Sequence, residues 1–168
     1  MQLFSVPPFR VYIVYMNLDC VLLVEDNEDD ALLFKCTLED AGIPIPVQTV
    51  ETAEEAMDYL TGSGNYADRE RYPLPMVVFV DLKLPGKSGQ DLLRWMKDKE
   101  EFDTLLKVVL TGANDPAGPA MALSLGANCY LEKPITRQQL TQPSRSLWMF
   151  LTRGGTLASG DLIRAGSR

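Results

Sequence analysis

The sequence predicts an α/β fold: a doubly wound parallel sheet of five strands with helices on both faces. Short apolar runs alternate five times with segments of helical spacing. The runs are nearly continuous in apolar residues, as expected of strands buried on both faces. The chain has 168 residues, of which 46% are hydrophobic and 23% charged. That suits one domain with a real core and excludes a disordered chain.

Cys20-Val21-Leu22-Leu23-Val24 is the first strand. The acidic run 26–30 follows, and Ala31, Leu32, Leu33, Phe34 and Leu38 keep helical spacing up to Gly42, a residue suited to ending a helix. A second strand is expected at 47–50, a second helix at 53–60, and a long polar loop at 61–75. Met76-Val77-Val78-Phe79-Val80 is the strongest strand in the chain. A helix over 89–99, a strand at 107–110, a poorer helix over 115–125, a strand at 128–131 and a helix over 136–151 complete five βα units. Such a succession implies a parallel sheet covered by helices.

The fourth helix carries Pro116, Gly118 and Pro119. A proline is tolerated in the first turn, but Pro119 lies deeper, and Gly118 disfavours helix further. Residues 113–120 are therefore expected to be irregular, with helix only from about Pro119 onward. Pro143 should start, kink or break the fifth helix. Residues 1–17 read as an N-terminal extension, with Met16 a candidate for the natural start. That stretch stands open between an upstream extension and a tail packed on the domain. Residues 18–153 form the domain, and 154–168 a flexible Gly-rich tail that is unsuited to be an output domain.

Composition narrows the function. Histidine is absent and there are three cysteines without metal-ligand spacing, which excludes Ser-His and Cys-His catalysis, His-ligated metals and a disulfide scaffold. A net charge of −7 argues against nucleic acid as a partner. The apolar stretch 11–16 is too short to cross a bilayer, and Arg10 with Pro7-Pro8 makes a poor signal peptide. A cytoplasmic protein with no membrane partner is expected.

The strand ends carry the chemistry. Strand one ends in Glu25-Asp26, strand three in Asp81, strand four in Thr111, and Lys133 follows strand five. In a parallel sheet these ends share one edge. The order 2-1-3-4-5, taken over from flavodoxin-like sheets, makes strands one and three neighbours at the switch point where ligands bind. Glu25, Asp26 and Asp81 would then crowd one crevice, and a hard divalent cation such as Mg2+ would relieve their repulsion. Lys133 would add a point charge and Thr111 a hydroxyl donor to a phosphate held there. A carboxylate can attack phosphorus, and Asp81 ends the most buried strand. Each residue has a plainer reading: Glu25 or Asp26 as helix caps, Asp81 as a turn residue before Pro85-Gly86, Thr111 as a cap or turn, Lys133 as a solvated lysine. Their joint position on one edge favours the chemical reading.

Val-Glu25-Asp26-Asn27, Val-Asp81-Leu-Lys-Leu-Pro85-Gly86, Leu-Thr111-Gly112-Ala113 and Tyr130-Leu-Glu-Lys133-Pro134 resemble the motifs of response-regulator receiver domains over most of the chain. The resemblance implies a non-enzymatic phosphoacceptor of a two-component system or phosphorelay, with Asp81 phosphorylated by a histidine kinase. It implies Mg2+ bound by Asp26, Asp81 and the backbone carbonyl of Lys83, with Glu25 acting mainly through water. Thr111 and Lys133 would contact the phosphoryl group, Thr111 and Tyr130 would form the switch, and the Lys133-Pro134 bond would be cis. The run Glu25 to Asp30, the loop through Gly64-Asn65-Tyr66-Ala67, and Gly126 to Tyr130 are similar to single-domain regulators paired with bacterial phytochromes. Relatives of that kind commonly pair through the fourth helix, fifth strand and fifth helix. Leu147, Trp148, Phe150 and Leu151 offer more apolar surface than one helix face buries, so a homodimer is expected.

Three other readings compete. An aspartate-nucleophile phosphatase needs an acid two residues after the nucleophile, where Lys83 stands. A flavodoxin-like binding module needs a Ser/Thr/Gly loop after strand one, where Glu25-Asp26-Asn27-Glu28 would repel a phosphate. A degenerate receiver acting only as a docking surface would have lost a key position, and none is lost.

Overall fold

The computed structural model describes residues 20–43, 45–112 and 118–141. Five parallel strands, β1 (Val21–Val24), β2 (Val47–Val50), β3 (Val77–Asp81), β4 (Leu106–Gly112) and β5 (Cys129–Lys133), form one sheet in the order β2-β1-β3-β4-β5. The helices are α1 (Glu28–Asp40), α2 (Ala53–Thr61), α3 (Gly89–Lys97), α4 (Gly118–Ser124) and α5 (Arg137–Thr141). The expected doubly wound sheet and its strand order are thus observed.

Alternation along the strands divides the core in two. Val21, Leu23, Val77, Phe79, Val108, Leu110, Cys129 and Leu131 face one side, where they meet Phe34 and Leu38 of α1 and Leu140 of α5. Leu22, Val24, Val78, Val80 and Val109 face the other, against α2, α3 and Ala122 of α4. The Phe34 and Phe79 rings meet edge to face with centroids 4.7 Å apart, a geometry worth about 0.5–1.5 kcal/mol beyond area burial. Continuous apolar runs in β1, β3 and β4 follow from this arrangement, because neither face of these central strands sees water.

The elements begin and end for local reasons. Asn27 caps α1, its side-chain oxygen accepting the N–H groups of Asp29 and Asp30 at 2.9 and 3.0 Å. The helix therefore starts at Glu28, inside the acidic run, where carboxylates complement the helix dipole. Ser88 and Asp91 form a reciprocal capping box at the start of α3. That helix ends at Lys97, earlier than its spacing predicts, and a 3-10 turn follows at Glu100–Phe102. Helix α4 begins at Gly118, within one residue of the expected start, while residues 113–117 lie outside the described residues. Pro143, the apolar cluster 147–151, the N-terminal extension and the tail also lie outside them.

Three strands run further than their apolar letters suggest. Asp81 is the last residue of β3, Thr111 lies inside β4, and Lys133 closes β5 instead of following it. The pairing Asp81 to Leu110 and Gly112 to Lys133 continues the ladder through these polar residues. Backbone hydrogen bonding set those boundaries, and it is indifferent to side-chain polarity.

The long loop after α2 is organised, with a 3-10 turn at Gly64–Tyr66. Gly62 ends α2 in the left-handed region (φ 68°). The Arg69 guanidinium donates to the carbonyls of Tyr59 and Leu60 at 2.8 Å each and of Tyr72 at 3.2 Å. It thereby satisfies the Leu60 carbonyl at the helix end and gives the Tyr59 carbonyl, which also accepts the Gly62 N–H, a second donor. Tyr59, Tyr66 and Tyr72 pack as a trio of tilted and edge-to-face rings with centroids 5.0–6.0 Å apart. Arg69→Ala should lower stability by about 1–3 kcal/mol, since hydrogen bonds from a charged donor are lost. Urea denaturation checks this, and limited proteolysis should find new cleavage within 62–75.

Candidate functional site

The register sets the site. Val24 of β1 lies beside Val80 of β3, so the next residues, Glu25 and Asp81, emerge level at the carboxyl edge of the sheet. Thr111 and Lys133 stand at the corresponding ends of β4 and β5, with Thr111 opposite Glu132 and Gly112 opposite Lys133. Alternation adds a second constraint. Glu25, Asp81 and Lys133 continue the positions that face α1 and α5, whereas Thr111 and Tyr130 fall on the α2-α3-α4 side.

The Lys133 ammonium is the centre of the observed geometry. It lies 2.5 Å from Glu25 Oε2, 2.6 Å from Asp81 Oδ2 and 2.9 Å from Asp30 Oδ2, so each of its three protons has a carboxylate. Burial by itself would lower the Lys133 pKa. The bonds to Asp81, Glu25 and Asp30 outweigh it and hold the ammonium above its ordinary range. Burial pushes the Glu25 carboxyl up, which Lys133 opposes and the neighbouring Asp81 charge reinforces. Glu25 is only 3% exposed, and a charge so enclosed stands only because it is paired.

The plainer readings of Glu25, Asp26, Thr111 and Lys133 do not hold, and that of Asp81 holds only in part. Neither Glu25 nor Asp26 caps α1, because Asn27 does so. Glu25 instead accepts the Asn27 N–H through Oε1 at 3.2 Å. Thr111 is buried within β4. Asp81 does accept the Lys83 N–H through Oδ1 at 2.8 Å, as a turn residue would, yet its other oxygen is held by Lys133. Lys83 itself is exposed, Tyr130 is half-buried against the α2-α3-α4 core, and the Lys133-Pro134 bond is cis.

Among the described residues, oxygens of Glu25, Asp26 and Asp81 lie within 4.8 Å of one another. Oxygens around one octahedral Mg2+ are separated by about 3–4 Å, so a small contraction or a bridging water would accommodate the ion. The donor set is all oxygen and anionic, as a hard cation requires, and one ammonium cannot neutralise four carboxylates. The residues fit Mg2+.

Two contributors escape a reading of the sequence motifs. Asp30 lies in the first turn of α1, three residues after the Asn27 cap, and its carboxylate reaches Lys133; no motif spacing flags that contact. Gly89 is the other. A Cβ there would lie 2.1 Å from the Asp81 carbonyl oxygen and 2.9 Å from Leu82 Cα, and no periodicity signals so close a backbone approach. Gly89→Ala should cost about 1–3 kcal/mol by overpacking and displace the turn that carries Asp81. Thermal denaturation of the variant checks the first effect.

The chain is similar to known proteins in sequence and fold. The profile of the response regulator receiver domain matches residues 21–144. The response regulator Rcp1 of Synechocystis sp. is 30% identical over 132 residues, covering 77% of this chain and 88% of its own. The Mn(2+)-bound structure of Rcp1 superposes with a TM-score of 0.65 at 28% identity, over 84% of this chain and 99% of that one. The response regulator RPA3017, described in red light signaling of R. palustris, gives a TM-score of 0.69 at 31% identity, over 79% of this chain and 93% of that one. The phosphorylated cyanobacterial phytochrome response regulator RcpA gives 0.65 at 32% identity, over 84% and 99%. Phosphorylation and Mg2+ binding at an acidic pocket are typical of such domains. By this profile match and these similarities the chain belongs to the response regulator receiver domain family of two-component systems.

Proposed function

We propose that this chain is a phosphoacceptor that takes a phosphoryl group from a sensor histidine kinase onto Asp81, in the cytoplasm, and signals through protein contacts. The observation that carries this reading is the convergence of Glu25, Asp81 and Lys133 on one buried edge, with Thr111 beside them. The similarity to regulators from phytochrome signalling favours a bacteriophytochrome-type kinase as the donor. It also weighs against the phosphatase and flavin-binding alternatives, which Lys83 and the acidic run Glu25-Asp26-Asn27-Glu28 already disfavour.

In this reading an Asp81 oxygen attacks phosphorus. A P–O bond forms, the P–N bond to the kinase imidazole breaks, and its electron pair returns to the ring, which takes up a proton. Negative charge spreads over the phosphoryl oxygens as this happens, so positioned donors do most of the work. Lys133 supplies a fixed positive charge and Thr111 a hydroxyl donor. Glu25, Asp26, Asp81 and the Lys83 carbonyl would hold Mg2+, Glu25 through water. When bound, that ion neutralises the carboxylates and the phosphoryl oxygens. Thr111 and Tyr130 share the α4 side of the sheet, which suits a switch in which Thr111 moves toward the phosphate and Tyr130 turns inward.

Intact-mass spectrometry after incubation with acetyl phosphate tests the assignment. Wild type should gain one phosphoryl group only with Mg2+, and folded Asp81→Asn none. Asp26→Asn should raise the Mg2+ concentration required by about tenfold or more. Lys133→Ala should slow phosphorylation by about a hundredfold while leaving metal binding largely intact.

The apolar residues Leu147, Trp148, Phe150 and Leu151 support a homodimer through the α4-β5-α5 face. Sedimentation at tens of micromolar should give a dimer. A monomer, phosphorylated or not, would remove that part of the proposal.

A further inference from the structure

Lys133 is held by Glu25, Asp30 and Asp81, while the cluster suited to a cation is Glu25, Asp26 and Asp81. The two sets share Glu25 and Asp81. Asp30 belongs to the first alone. Once Glu25 and Asp81 turn their oxygens to a cation, their hold on the ammonium weakens, and the cation's charge repels it. Asp30 is then the carboxylate that keeps Lys133 at the site.

The ordinary duty of an acid at this position of a helix is to close a capping box, three residues after the cap. Here that duty is already discharged, because the Asn27 N–H is taken by Glu25. The Asp30 carboxylate is free to face β5, and it reaches Lys133 Nζ at 2.9 Å while its side chain stays 45% exposed. Its position on α1 is fixed from below by Phe34, packed edge to face on Phe79 of β3, and at the helix start by the Asn27 cap. A half-exposed carboxylate on a capped helix turn sits there at little desolvation cost. It can hold the ammonium without competing for the cation.

We infer that Asp30 is a positioning residue for the phosphoryl-transfer reaction, anchoring the Lys133 ammonium beside Asp81 when a divalent cation takes up Glu25 and Asp81. The inference rests on the proposed phosphoacceptor role of Asp81. It assigns Asp30 no contact with phosphate or metal; its effect passes through Lys133.

The test is a double-mutant cycle with Asp30→Asn, Lys133→Ala and the double variant, read in two ways. The first is the rate of phosphorylation by acetyl phosphate at saturating Mg2+. Asp30→Asn alone should be about five- to tenfold slower, the effect of one lost charge-assisted hydrogen bond. In the Lys133→Ala background the same substitution should change the rate by less than about twofold. Asp30→Glu, which restores the charge, should recover part of the loss. The second readout is urea stability without metal, where Asp30→Asn should be destabilising only when Lys133 is present. Equal slowing in both backgrounds would overturn the inference, as would a faster Asp30→Asn, which would mean that Asp30 competes with the phosphoryl group for the ammonium. Loss of the phosphoacceptor reading itself would show differently: wild type would gain no phosphoryl mass, while the metal-free coupling of Asp30 to Lys133 would still be measurable.

Discussion

A single ammonium group ties the functional edge of this protein together. Neighbouring strands lie about 4.8 Å apart, so β5 stands about two spacings from β3, with β4 between them. Lys133 spans that gap along the α1-α5 side to meet Asp81, and from there reaches Glu25 at the end of β1 and Asp30 on α1. Without it, a nearly inaccessible Glu25 would face Asp81 as one carboxylate against another with no positive charge between them. Strand order, register and strand length all matter through this contact. A shift of one residue in β5 would turn Lys133 to the opposite side of the sheet.

Alternation gives the edge two sides with different surroundings. The side of Glu25, Asp81 and Lys133 is backed by α1 and α5, and α1 is firmly seated by its cap and by Phe34. The side of Thr111 and Tyr130 is backed by α2, α3 and the short α4. In the proposed function, charge would be fixed on the α1-α5 side and the response to phosphate carried on the other. The division follows from the two-residue period of a strand. Neighbouring positions near one edge look into different halves of the core.

Much of this was legible beforehand, and for identifiable reasons. The five apolar runs mark strands because a sheet covered on both faces tolerates few polar letters, and the acids after Val24 and at Asp81 stand out against that background. Boundaries were less legible. Lys133 reads by its polarity as following its strand, yet the ladder runs through it. The polar loop after α2 looked featureless, although Arg69 and three tyrosines give it structure. Those contacts join residues whose spacing follows no helix or strand period.

The sequence by itself determined the fold class, the family motifs and the identity of Glu25, Asp26, Asp81, Thr111 and Lys133 as the residues to watch. Each rests on local pattern: apolar continuity, caps, and polar residues where an apolar run stops. Tertiary structure alone decided which carboxylates hold Lys133, that Asp30 joins them while Asp26 stays outside that contact, and that Gly89 must leave room for the Asp81 carbonyl. Those outcomes depend on distances between elements far apart in the chain, and such distances are set by the packing of α1 and α3 on the sheet.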